Sequence, residues 1–151
     1  MEKLVMERRA YDNKYLHRDF HATLDIGMAY LGDRFGEEQV DRYIAQYVET
    51  RYQPMTLQEL QDYFIAIYKA EEAEDALVTT LQENRMVVDI AWCPGLRYLN
   101  AHGGASKWYY KTTTVLYSQL AKRCGLEFKL YAYDPASGKA KFEFWSKEGE
   151  K

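Results

Sequence analysis

Cysteine, proline and long apolar runs are all scarce in this chain. Of 151 residues only two are cysteine, Cys93 and Cys124, and three are proline. Two thiols cannot make a disulfide framework, so the fold must rest on its own core, and both cysteines are read as free. No stretch of 18 or more apolar residues occurs, and the first 20 residues are charged, so neither a membrane span nor a signal peptide is expected. The expected location is therefore cytoplasmic. A one-signed surface is missing too: 20 basic and 23 acidic residues leave a net charge of −3. That balance excludes an electropositive nucleic-acid face and a basic membrane-binding face. Low-complexity linkers and internal repeats are likewise absent, which predicts one domain over residues 1–151.

What the chain does have is apolar mass and tyrosine. A hydrophobic content of 47% is enough for a core without staples. The 14 tyrosines outnumber the six phenylalanines. A large apolar body with a polar tip suits half-buried walls, a pocket for polar ligands, or the surface of a homodimer.

Helical spacing dominates the first half. Leu16, Phe20, Leu24, Gly27 and Leu31 form an apolar stripe on a helix from about Tyr11 to Arg34, which Gly36 stops. Val40, Ile44, Tyr47 and Val48 mark a second helix from about Glu37 to Tyr52. Thr56 and Glu59 have the spacing of a capping box for a third helix, which buries Leu57, Leu60, Phe64 and Ile67 and reaches about Ala70.

The period then changes to two. Ala76–Leu81 and Met86–Trp92 read as a hairpin, as do Leu126–Tyr133 and Ala140–Trp145 around the turn-forming Asp134-Pro135-Ala136-Ser137-Gly138-Lys139. In the last pair Leu126, Phe128, Leu130 and Ala132 share one face, opposite Glu127, Lys129 and Tyr131. Between the hairpins, Lys107–Lys122 reads as one long helix ending at Cys124-Gly125. The predicted architecture is α+β: three N-terminal helices and a later long helix packed on a four-stranded antiparallel sheet made of two hairpins.

Chemistry points first to Trp92-Cys93-Pro94-Gly95, where a strand gives way to a short helix opened by proline. The unpaired N–H groups of a helix start favour a thiolate, which makes Cys93 the candidate nucleophile; the competing reading is a small buried apolar residue. Asp89 falls on the same strand face but about 13 Å away, too far for a direct partner. His102, nine residues beyond Cys93 in the loop Asn100–Ser106, is the first candidate base, and that loop could act as a lid or an anion-binding turn. Arg97, Tyr109 and Tyr110, with Lys107 and Lys111 nearby, are candidates to hold a substrate carboxylate. His17 and His21 are spaced four apart with Asp25 one turn further, a weak metal-ligand pattern that also fits polar flankers of the helix stripe. Cys124, at a helix C-terminus where the dipole opposes a thiolate, reads as structural. No cofactor is expected.

Phe35-Gly36-Glu37-Glu38, Val88-Asp89-Ile90-Ala91-Trp92-Cys93-Pro94 and the closing Leu126-Glu127-Phe128 to Phe142-Glu143-Phe144 hairpin resemble the L-2-amino-thiazoline-4-carboxylic acid hydrolase family over nearly the whole chain. The resemblance implies a hydrolase that opens a carbon–nitrogen bond of a small cyclic carboxylate, with Cys93 as the position carried over. The expected mechanism has Cys93 attack the ring carbon, His102 manage protons and Arg97 hold the carboxylate. The alternative from the residues alone is a small-ligand binding or sensing domain with a tyrosine-lined pocket and no nucleophile.

Overall fold

The computed structural model describes residues 11–147; the start of the charged opening stretch lies outside them. Helix α1 spans Lys14–Phe35, α2 Glu37–Arg51 and α3 Leu57–Ala70. A 3₁₀ turn at Glu74–Ala76 leads into strands β1 (Leu77–Gln82) and β2 (Arg85–Ile90). Helix α4 (Pro94–Ala101), a single helical turn α5 (Lys111–Thr114) and α6 (Leu116–Arg123) precede strands β3 (Glu127–Tyr133) and β4 (Ala140–Trp145). The four strands form one antiparallel sheet in the order β1-β2-β4-β3, so the two hairpins meet where β2 pairs with β4. This is the α+β arrangement read from the sequence. Among the described residues no helix is long and apolar enough to cross a membrane.

Local chemistry sets the starts of the helices. Asn13 caps α1 by accepting from the Leu16 N–H at 3.0 Å. The Thr56/Glu59 capping box closes in both directions, at 3.2 and 3.3 Å. Gly125, at φ +69°, is the left-handed residue that ends α6. The core lies between one sheet face and the helices: Met86, Val88, Phe142 and Phe144 from the sheet meet Leu60 and Phe64 of α3 and Leu120 of α6. Phe64 and Phe128 each contact the rings of Phe142 and Phe144, which also meet each other, with centroids 5.2–6.1 Å apart.

Three details depart from the sequence reading. The inward face of α1 carries His17, Leu24, Asp25, Met28 and Gly32, whereas Leu16, Phe20 and Leu31 are only half-buried. The long helix expected over Lys107–Lys122 is broken at Val115: the β-branched run Thr112–Val115 is a weak helix former, and the Thr112 hydroxyl donates back to the Tyr109 carbonyl at 2.8 Å. In β3 the register shifts between Leu130 and Ala132, so Ala132 pairs with Lys141 and is exposed while Tyr133 packs against the core. The bulge inserts one residue and reverses the inside-outside parity expected for Ala132.

Candidate functional site

Strand β2 ends at Ile90, and the chain bends through Ala91 and Trp92 before Cys93 caps α4. The bend breaks the strand alternation, so Asp89 and Cys93 do not share a face. Asp89 lines a cleft of about 470 Å³ with Asp75, Val78, Ala132 and Lys141. The Cys93 sulfur instead meets the Tyr109 hydroxyl at 3.4 Å. The β3–β4 turn fixes its backbone, with the Cys93 N–H donating to the Ser137 carbonyl at 2.9 Å.

Two glycines make this junction compact. A Cβ on Gly95 would lie 2.6 Å from the Tyr109 hydroxyl oxygen and 3.3 Å from the His21 ring. A Cβ on Gly138 would lie 2.4 Å from that of Cys93, at a φ of +75° that L side chains rarely adopt. The glycine after Pro94 is therefore a packing requirement of the site.

From Tyr109 a polar chain runs inward. The Tyr109 hydroxyl lies 3.4 Å from Nδ1 of His21. The His21 and His17 rings meet edge to face with centroids 4.3 Å apart. Nδ1 of His17 meets Glu71 Oε1 at 2.6 Å, and Arg18 Nε donates to Glu71 Oε2 at 3.3 Å. Glu71 is 6% exposed and His17 5%, so Cys93, Tyr109, His21, His17 and Glu71 form a string of polar groups set into the interior. Such groups persist in a core because each is satisfied by the next.

The thiol is not the stronger acid expected of a helix-start cysteine. Burial pushes it up, and this outweighs the contact from Tyr109 and the N–H groups of Leu96 and Gly95, which favour the anion. The resting site thus holds a neutral thiol. Burial, followed by the neighbouring His17, holds His21 well below the ordinary imidazole range, so its ring is an uncharged base at neutral pH. Burial also raises Tyr109, next to Cys93.

Three more tyrosines surround the sulfur. Tyr68, Tyr117 and Tyr133 all lie within electrostatic reach of it, and each is held as the neutral phenol chiefly by burial, Tyr133 at about 12. Tyr68 is only 4% exposed. The bulge at Tyr131 is what turns Tyr133 towards this group.

The other sequence candidates fall elsewhere. His102, expected as the base, is exposed; its ring stacks on Tyr98, and Nδ1 meets the Tyr98 carbonyl at 2.8 Å. The imidazole linked to Cys93 is His21. Arg97 is exposed and lies over the Trp92 ring at 3.5 Å. Tyr110 is exposed beside the Lys111 ammonium. Lys111 is buried and engages Glu37 at 2.9 Å and Asp41 at 2.6 Å, a link from α5 to the start of α2. Lys107 stays at the surface near Asp33. The loop after α4 is tied down: Asp25 accepts from the Ser106 N–H at 2.9 Å and its hydroxyl at 2.7 Å. Asp25 is thereby engaged by Ser106 and His17 by Glu71, so the two histidines keep ring contact but do not share Asp25 as a third ligand. Among the described residues no group of three or more His, Cys, Asp or Glu side chains could hold a metal ion. Cys124 accepts from the Met55 N–H at 3.3 Å, a structural contact.

From sequence the acidic run Glu71-Glu72-Ala73-Glu74-Asp75 reads as a solvated connection, but Glu71, at the exit of α3, is buried against His17 and Arg18; Tyr68, inside α3, lies far from any motif. The signals that point to them are an acidic and a tyrosine side chain on the inner face of that segment. Comparison of the chain with protein-family models, curated proteins and solved structures found no match.

Proposed function

We propose that the protein is a hydrolase whose nucleophile is Cys93, opening a carbon–nitrogen bond of a small cyclic carboxylate, as its likeness to the L-2-amino-thiazoline-4-carboxylic acid hydrolase family implies. The observation that carries this reading is the Cys93–Tyr109–His21 contact chain at the start of α4, which offers the thiol a route for its proton. The sulfur forms a bond to the electrophilic ring carbon, the ring carbon–nitrogen bond breaks, and the departing nitrogen takes up a proton. Water then cleaves the carbon–sulfur bond and restores the thiol. Arg97, exposed on the same short helix, is the candidate for the substrate carboxylate. The test is turnover of 2-amino-thiazoline-4-carboxylate and related cyclic amidines by wild type and Cys93→Ala. Ring opening should disappear in the variant while its thermal unfolding stays within a few degrees; retained turnover overturns the nucleophilic role.

A second reading, a small-ligand binding or sensing domain, is favoured by the neutral resting thiol and by the four neutral phenols grouped about it. In that case Tyr68, Tyr109, Tyr117 and Tyr133 hold the ligand through phenol hydrogen bonds. Ligand binding by both wild type and Cys93→Ala, with turnover in neither, selects it.

A further inference from the structure

We propose that the proton of Cys93 is removed by His21 acting through the Tyr109 hydroxyl, with the His17–Glu71 pair holding His21 in place, so that this relay does the work expected of His102. The inference rests on Cys93 being the nucleophile. Cys93 is the catalytic residue; Tyr109, His21, His17 and Glu71 are positioning residues that determine where its proton goes.

The relay uses one of the donor orders these two contacts permit. The thiol donates to Tyr109 Oη as the Tyr109 hydroxyl donates to His21 Nδ1, through the two contacts of 3.4 Å. When both protons shift one place, the sulfur becomes a thiolate, the tyrosine stays a neutral phenol and His21 becomes an imidazolium. No charge enters or leaves the site. That balance matters in a buried place, where an unpaired thiolate is costly but a thiolate–imidazolium pair compensates itself. Around His21 stand His17 on its own helix, Glu71 beyond α3, and Tyr109 and Cys93 from the segment between the hairpins. Arg18 neutralises part of the Glu71 charge and lies 4.9 Å from the Tyr98 ring centroid. Glu71 is thus placed to favour a positive charge on the histidine pair once the relay has fired.

A relay of this kind leaves a signature that a packing role would not. In the neutral Cys93–His21 state a constant fraction of molecules carries the thiolate, so thiol reactivity should be level across neutral pH. It should fall only on the acid side, when His21 takes a proton before the thiol can give one up. Without the relay, reactivity simply climbs through the raised thiol value. The experiment is the rate of Cys93 alkylation by iodoacetamide against pH, in a Cys124→Ser background, for otherwise wild-type protein, Tyr109→Phe and His21→Gln.

The parent should show a plateau extending below about pH 6.5. Tyr109→Phe should lower the rate near neutral pH by at least about tenfold, with rates converging on the alkaline side as direct ionisation takes over. His21→Gln should abolish the plateau in the same way, and serves if the tyrosine variant folds poorly. A parent profile with a single rise through the thiol value, or a plateau kept in Tyr109→Phe and lost in His102→Ala, overturns the relay. Because alkylation needs no substrate, a failed relay remains distinct from a failed hydrolase: the effect of Cys93→Ala on turnover is read independently of the alkylation profile.

Discussion

At Cys93 a helix start and a phenol pull the thiol towards ionisation while burial pulls it back, and burial prevails. A glycine from the last hairpin packs against the Cβ and backbone of this residue. Gly138 holds a left-handed conformation and leaves no room for a side chain against Cys93. Gly138→Ala combines backbone strain with an overpacked contact and should cost about 2–3 kcal/mol. Urea unfolding measures it; a loss below about 0.5 kcal/mol would mean that the turn does not hold the cysteine. Cys93 was legible because its signal is local: a strand, a cysteine, a proline and a glycine in succession. His21 was legible only as one member of a spaced pair. Its role depends on Tyr109, 88 residues away in the chain, which no local pattern announces.

Helices and strands differ in how much of them local sequence determines. The Thr56/Glu59 box and the Asp134–Lys139 turn read correctly because their partners lie within a few residues: Asp134 accepts from the Ser137 hydroxyl at 2.7 Å and the Ala136 N–H at 3.2 Å. The face of α1 read incorrectly because two of its buried residues are polar. His17 is satisfied by Glu71 and Asp25 by Ser106, so an apolar-stripe criterion rotates the helix away from its true inner side. The bulge in β3 is likewise a product of tertiary context, whereas the break between α5 and α6 follows from the local β-branched run Thr112–Val115. Where α5 meets α2, Lys111 is 2% exposed while Glu37 and Asp41 are half in water. Desolvation opposes its charge, but the hydrogen bonds from Asp41 and Glu37 prevail and raise its pKa. Removing both carboxylates by Glu37→Gln and Asp41→Asn leaves a buried ammonium unpaired and should destabilise the protein by about 2 kcal/mol, the usual cost reduced because the carboxylates are exposed. Lys111→Met, which removes the charge itself, should be close to neutral. A reversed order in denaturant titrations would contradict this reading of the junction.

For the chain as a whole, tyrosine is the distinctive choice, and it couples stability to alkaline pH. Burial raises Tyr47, Tyr52, Tyr63, Tyr68, Tyr109, Tyr117 and Tyr133, the last to about 12. A group whose folded value is raised stabilises fully below its unfolded value, near 10 for tyrosine, and loses that contribution as pH climbs through the folded value. Unfolding free energy should therefore be flat between about pH 8 and 9.5 as far as these groups are concerned, and fall by several kcal/mol by about pH 11.5. Tyrosinate absorbance should appear together with loss of structure; ionisation of most tyrosines in the intact fold would contradict their burial. Four of these phenols, Tyr68, Tyr109, Tyr117 and Tyr133, stand around Cys93, so the feature that makes the core tolerant of polar groups also shapes the site. Whether that site performs chemistry turns on one sulfur atom. Side-by-side turnover of a cyclic amidine carboxylate by folded wild type and folded Cys93→Ala addresses it most directly: ring opening in the first and none in the second supports the hydrolase, and equal ring opening in both refutes it.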